Sequence, residues 1–215
     1  ANTTIHTMQM IRKAKANGSK IIVIDPIETA TATLSDKYIR IKPNGDLALA
    51  LAIGKVIIEN EFFDEKYIKL TYDFIYFSSK NSYVNGFEEY KEYVLSLNIE
   101  ELSLECGVEI NEINELVRLY CEKYSTILLG FGMQKYKNGG ITIRAIDALG
   151  AITGQIGFSG GGVNYANKVY PKILNSDPYN SEKAASNRYF YTSEINEFIE
   201  KCSLGKTYYK NDIFI

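Results

Sequence analysis

The sequence has 215 residues, with 24 lysines and arginines against 26 aspartates and glutamates, a net charge of −2, and 46% hydrophobic residues. A chain of this length buries a substantial core as one large domain or two modest ones, and with no basic surplus to neutralise phosphates it is not expected to bind nucleic acid. Its three cysteines, Cys106, Cys121 and Cys202, lie far apart with no CxxC, which argues against a zinc site, an iron–sulfur cluster or a disulfide framework.

The thiols read instead as buried or half-buried and free, in a reducing compartment. No apolar run in the sequence approaches the roughly 18 residues that a membrane span needs. From the N-terminus, residues 8–17 form an amphipathic helix carrying Arg12, Lys13 and Lys15, stopped by Gly18. His6, the only histidine, falls at this helix start with no paired carboxylate in view and is given no catalytic role. Residues 20–24, Lys-Ile-Ile-Val-Ile, predict a strand buried on both faces of a parallel sheet. The strand ends in Asp25-Pro26. An acid at the carboxyl end of such a strand is placed to accept hydrogen bonds from a ribose or a base, and it equally suits a turn or a helix cap.

Residues 28–34 are small and hydroxyl-rich and include Thr29; residues 38–41 give a short strand. Pro43-Asn44-Gly45-Asp46 is a turn whose aspartate can cap the next helix, residues 47–59. That helix, LALALAIGKVIIE, is apolar almost all round and should be buried. Residues 71–86 are aromatic and irregular, an excursion without clear periodicity. Residues 87–97 and 110–124 are amphipathic helices whose tyrosines and leucines belong to the core.

Residues 126–164 carry the strongest functional signal. A buried strand at 126–129 runs into a glycine turn (Gly130, Gly132), then a helix with Ile141, Ile143, Ile146, Leu149 and Ile152 on one side, then a denser glycine loop through Gly154, Gly157 and Gly160 to Gly162. Strand, glycine turn and helix are how α/β proteins bring backbone N–H groups to a phosphate. One or two glycines after a helix are ordinary caps; three in a row just after Gly-Gln-Ile-Gly are not. Beyond Asn164 the chain turns polar and tyrosine-rich, with one helix at 193–202 and a strand beginning at 212–215.

In order and spacing, Gly130-Phe131-Gly132-Met133-Gln134, Ala151-Ile152-Thr153-Gly154-Gln155-Ile156-Gly157 and Gly160-Gly161-Gly162-Val163-Asn164 resemble three motifs of the molybdopterin oxidoreductases of the dimethyl sulfoxide reductase and formate dehydrogenase type. These are a GxGxQ turn, a helix ending LTGNIG (here with Gln155 for asparagine) and a GGGVN-like loop. The stretch from Asp25 to Asp46 resembles the segment that holds the guanosine of one molybdopterin guanine dinucleotide, with Ile27 where arginine is usual and Asn44-Gly45-Asp46 for Gly-Thr-Asp. Asn2 matches the asparagine of a GxNP turn, with Thr3 for the proline.

The resemblance implies an α/β fold, Rossmann-like and three-layered (αβα) with a mostly parallel sheet, as part of a multi-domain molybdopterin-binding subunit. Residues 1–132 would form a guanine-dinucleotide-binding lobe and residues 133–215 the start of a second, incomplete lobe. The cofactor contacts it implies are Asn2, Asp25, Thr29, Asp46, Gly130, Gly132 and Gln134, supported by Thr153, Gly154 and Gly162. Catalysis would belong to molybdenum or tungsten and its pterin. The metal ligand, a 4Fe-4S cluster and a C-terminal barrel are expected elsewhere in a longer subunit, so no catalytic or metal-ligating residue is assigned here and the segment alone is expected to be inactive. Expected partners are the remaining domains of that subunit and electron-transfer iron–sulfur subunits. Two other readings stay open: a non-catalytic relative serving as scaffold in an electron-transfer complex, and a NAD- or FAD-binding domain. The second would put GxGxxG directly after the first strand, where this chain has Asp-Pro.

Overall fold

The computed structural model describes residues 5–70, 75–77, 83–122, 124–165, 189–190 and 213–214. The chain divides into two compact units, residues 1–167 and 168–215. The helix predicted at 193–202 lies outside the described residues. In the second unit a short parallel pair is described, β7 (Tyr189–Phe190) with β8 (Ile213–Phe214).

The first unit is built around α2 (Asp46–Glu59), whose apolar sequence buries ten of its 14 residues. Packed around it are α4 (Gly86–Ser96), α5 (Ile99–Cys106), α6 (Ile110–Glu122) and α7 (Gly139–Ile152). Ile57 of α2, Ile113 of α6, Val94 of α4 and Ile152 of α7 are fully buried in one cluster; each such side chain contributes roughly 1.5–3 kcal/mol. Two glycines let the layers close. A Cβ on Gly54 would meet the Tyr90 hydroxyl at 2.1 Å, and one on Gly45 would meet the Cys106 backbone at 2.8 Å. The one lysine in the buried stretch, Lys55, is satisfied by the Leu95 carbonyl at 3.0 Å and by Glu59 at 2.9 Å, as a long side chain with a polar tip allows.

Two parallel strand pairs flank this core. β1 (Ile22–Ile24) pairs with β2 (Lys37–Ile39), Ile22 opposite Lys37 and Ile24 opposite Ile39. β5 (Thr126–Leu129) pairs with β6 (Gly162–Tyr165), Thr126 opposite Gly162 and Leu129 opposite Tyr165, with α7 as the crossover of a βαβ unit. The remaining elements are α1 (Ile5–Ala16), α3 (Glu65–Leu70) and the antiparallel pair β3 (Ile75–Phe77) and β4 (Tyr83–Asn85). The fold is therefore mixed α/β, rich in helix, with short parallel sheets.

Several expectations need correction. Residues 71–86 are not wholly irregular, since β3 and β4 pair within them. β1 is not buried on both faces: Ile22 packs on the core, but Ile24 is 39% exposed. On α7 the buried stripe is Thr142, Ala145, Ile146, Leu149 and Ile152, while Ile141 is 63% exposed. Asp46 occupies the first helical position of α2 with Gly45 as the cap; its charge still favours the positive helix end.

Candidate functional site

The site starts where β1 and β2 stop. Parallel strands in register end together, so the residues that follow them share one edge. After β1, the Ile27 amide donates to Asp25 Oδ1 at 2.9 Å, closing an Asx turn. The backbone of Asp25 is held on both sides: its amide donates to the Ile39 carbonyl at 3.2 Å, and its carbonyl accepts from the Tyr38 hydroxyl at 2.9 Å. Asp25 thus forms the turn that a structural role requires, while its Oδ2 has no hydrogen-bond partner among the described residues.

After β2 the chain continues through Arg40, buried Ile41 and Lys42 into the turn before α2. Asn44 adopts φ 66° there, a left-handed conformation that asparagine tolerates better than most residues. The Gly45 amide closes the turn on the Lys42 carbonyl at 2.9 Å. Asp46 follows, half-buried. Burial pushes its carboxyl above the usual range, its own amide pulls the other way, and the charge of Asp25 pushes it up again.

A cleft of about 540 Å³ opens there, within the range typical of small-molecule sites. One wall is Pro26 and Ile27 after β1, another is Arg40 to Pro43 after β2, with Gly107 beyond α5 and Tyr136 completing the lining. Lys42 is fixed in place, its Nζ donating to the Leu104 carbonyl at 2.7 Å and its amide to the Cys106 carbonyl at 2.8 Å. Gly107 (φ 73°) makes room, since a Cβ would meet the Lys42 side chain at 2.8 Å. Tyr136 comes from the turn after β5. Gly130 and Gly132 lie exposed with open space where a Cβ would stand. Gln134 sits, also exposed, in the 3-10 turn Met133–Lys135. Gly139 lets α7 start directly beneath it, for a Cβ there would lie 2.5 Å from the Gln134 carbonyl.

Of the expected contacts none lines the cleft itself: Asp25 directly precedes Pro26 on its wall, Asp46 lies three residues beyond Pro43, and the turn at 130–136 reaches the lining through Tyr136. Thr29 is half-buried and opens the short 3-10 turn Ala32–Leu34, its carbonyl accepting from the Ala32 amide at 2.8 Å. Asn2 lies outside the described residues. Thr153, Gly154 and Gly162 sit elsewhere: α7 separates them from the glycine turn by about 20 Å for its 14 residues. The Thr153 hydroxyl bonds its own helix at the Leu149 carbonyl, 2.6 Å away. Gly154 (φ 65°) packs on Asp64, whose carboxylate a Cβ would approach at 2.8 Å. Gly162 (φ 96°) starts β6, its carbonyl accepting from Thr126 Oγ1 at 3.1 Å. Gln155 is buried and accepts the Ser125 amide at 2.9 Å, tying the return loop to the start of β5.

Arg40, Lys42, Gly107 and Tyr136 were not singled out from the sequence. The signal for the first two was available: basic residues at alternate positions immediately past a parallel strand. Among the described residues no group of acids, histidines and cysteines is placed to hold a metal ion. Cys106 and Cys121 are free thiols; burial pushes both up, Cys121 to about 11, so they stay protonated and poorly nucleophilic. No helix of the described residues is long and apolar enough to cross a membrane.

The chain is a mixed α/β protein with a cleft at the carboxyl ends of one pair of short parallel strands. The family model for molybdopterin oxidoreductase matches residues 2–209, and the chain belongs to that family. It is 39% identical over 167 residues to a probable oxidoreductase, YyaE, of Bacillus subtilis (strain 168), covering 78% of this chain and 23% of that protein. It is 35% identical over 152 residues to formate dehydrogenase H of Escherichia coli (strain K12), covering 70% of this chain and 20% of that protein. Among solved structures it resembles acetylene hydratase from Pelobacter acetylenicus, with TM-score 0.61 and 26% identity over 73% of this chain and 20% of that one. The chain thus spans about a fifth to a quarter of the length of these relatives.

Proposed function

We propose that this chain is the central cofactor-binding portion of a molybdopterin-dependent oxidoreductase, and that its carboxyl-edge cleft seats the guanine nucleotide of a bis-molybdopterin guanine dinucleotide. The observation that supports this reading is a cleft at the carboxyl edge of β1 and β2, walled by Pro26 and Ile27 next to Asp25, by Arg40 to Pro43 on the way to Asp46, and by Tyr136 from the turn after β5. The donor set suits the group. Guanine offers an N1–H and a 2-amino group, and a carboxylate accepts both. Asp25 keeps one oxygen uncommitted, and Asp46 is held half-buried, where a hydrogen bond to a charged acceptor is strengthened. Ile27 and Tyr136 give the cleft apolar surface for a base, and the bare backbone at Gly130 and Gly132 admits a pterin or pyrophosphate.

Gln134 and, more weakly, Thr29 would add polar contacts, and Asn2 would reach the same group. Thr153, Gly154 and Gly162 would support the site at a distance by fixing the return of the βαβ unit. When bound, molybdenum or tungsten with its pterin supplies two-electron redox, or oxygen-atom or hydride transfer. This chain's residues bind and orient. The three-layer Rossmann-like sheet, the lobes at 1–132 and 133–215, a 4Fe-4S cluster, iron–sulfur partner subunits and inactivity of the segment alone belong to this same proposal.

Calorimetric titration with GDP tests it. Binding that is lost in Asp25→Ala and Asp46→Ala is expected; binding indifferent to both substitutions would overturn the assignment. Metal analysis of the complete polypeptide separates the non-catalytic alternative: bound molybdenum or tungsten is expected, and a metal-free protein favours a scaffold.

A further inference from the structure

We infer that the groove between α2, α4 and α5 is a docking surface for a partner polypeptide, one that presents an amphipathic helix with basic residues beside its apolar stripe. The groove shares no lining residue with the cleft past β1 and β2, so the inference stands apart from the nucleotide reading. It encloses about 300 Å³. α2 contributes Leu47, Ala48 and Leu51, α4 and the residue after it Tyr93 and Leu97, and α5 Leu102. Leu47, Leu51 and Leu97 stay half-buried although they pack on the core, and Tyr93 is 53% exposed. A contiguous apolar stretch with a polar rim marks a surface of association. A trough between helices accepts a further helix, whose ridge of side chains fills the gap.

The rim sets the charge of the occupant. Glu101 and Glu105 line the groove one turn apart on α5, both exposed, and neither forms an ion pair among the described residues. Like charges at this spacing repel each other, and a cation set between them relieves that repulsion. No lysine or arginine lines the groove to do so. The cations on neighbouring elements are engaged: Lys42 donates to the Leu104 carbonyl at 2.7 Å and Lys55 to the Leu95 carbonyl at 3.0 Å. The surroundings carry the same sign, with eight glutamates and one lysine in residues 86–112. A helix with lysine or arginine flanking a leucine stripe therefore matches both the apolar walls and the rim.

The test is calorimetric titration of the chain with a leucine–lysine peptide of about 18 residues, long enough to form a helix. Its leucines fall on one helical face and its lysines flank them; a second peptide has glutamate for every lysine. The lysine peptide binds and the glutamate peptide does not. Glu101→Lys with Glu105→Lys weakens the lysine peptide about tenfold, as two exposed ion pairs allow, and gains affinity for the glutamate peptide. Tyr93→Ala weakens the lysine peptide through lost apolar wall. Glu88→Lys with Glu109→Lys, the same change of net charge away from the groove, leaves its affinity unchanged. Failure of the lysine peptide to bind would overturn the inference, and so would equal weakening by the two charge reversals, which would make bulk charge the attraction. Dimerisation of the chain in sedimentation, abolished by Glu101→Lys with Glu105→Lys, would assign the groove to a second copy instead. A complete polypeptide that ignores a peptide bound by this segment would show the groove filled from within, and no partner would be needed.

Discussion

The two glycine-rich stretches that bracket α7 look alike in sequence and differ in structure. At 130–132 the glycines face open space: neither Gly130 nor Gly132 has an atom within 4 Å of where a Cβ would stand. At 154–162 the stretch is mixed: a Cβ on Gly161 would meet the Gln155 carbonyl at 2.3 Å and one on Gly154 the Asp64 carboxylate at 2.8 Å, while Gly157, Gly160 and Gly162 have nothing within 4 Å. The first stretch is vacant backbone at the carboxyl edge of β5. The second is a return loop at the amino edge of β6, packed at Gly154 and Gly161 and open at Gly157, Gly160 and Gly162. There glycine also serves the backbone itself, with positive φ at Gly154, Gly157, Gly160 and Gly162; at 130 and 132 neither crowding nor a left-handed turn calls for it.

Substitutions separate the two kinds. Gly161→Ala carries the largest expected effect, because the new methyl meets a backbone carbonyl that cannot swing away; a loss of about 2–3 kcal/mol in denaturant unfolding is expected. Gln155→Ala removes the acceptor for the buried-loop amide of Ser125 and should cost about 1–3 kcal/mol. Gly154→Ala forces a side chain into φ 65° and is expected to cost about 1–2 kcal/mol. None of the three should alter GDP binding in the fraction that stays folded. Gly132→Ala is the converse. Its φ of −66° and ψ of −35° suit any residue, so stability should move by less than about 0.5 kcal/mol, while GDP binding weakens.

Asp46 makes the same contrast through pH. Its folded carboxyl lies above the ordinary value because burial and Asp25 disfavour the charge. Below the unfolded value both states hold the proton and this group costs nothing. As pH rises from there through the raised folded value, the folded state must carry a half-buried charge and loses stability. Asp46→Asn should therefore melt higher than wild type at neutral pH, with the difference vanishing as the solution is acidified, and should bind GDP less well. Equal melting curves across that range would contradict the origin assigned to the shift.

How much of this was legible follows from what each signal encodes. The all-apolar run of α2 could only be a buried helix, and 126–129 emerged as β5 to the residue, although not buried as expected: Thr126 is exposed and Leu128 is 56% exposed. α5 was underread although its cap was written out: Asn98 accepts the Glu101 amide at 2.9 Å, and Gly107 takes the left-handed stop at φ 73°. β1 shows the limit of composition, since Ile-Val-Ile states that a strand suits burial but not what covers it. Merging the two glycine stretches into one site ignored a topological fact. A helix that crosses between parallel strands must deliver its two connections to opposite ends of the sheet. Arg40 and Lys42 needed coordinates, because which of two neighbouring cations is already spoken for is a matter of tertiary contact.

The central claim is that the ends of β1, β2 and β5 form one seat. Amide hydrogen exchange on the chain with and without GDP tests it most directly. Slowed exchange at residues 25–29, 40–46 and 130–136 together, with 153–162 unchanged, is the predicted result. Protection confined to 153–162, or none at the carboxyl edge under conditions where calorimetry shows binding, would contradict it.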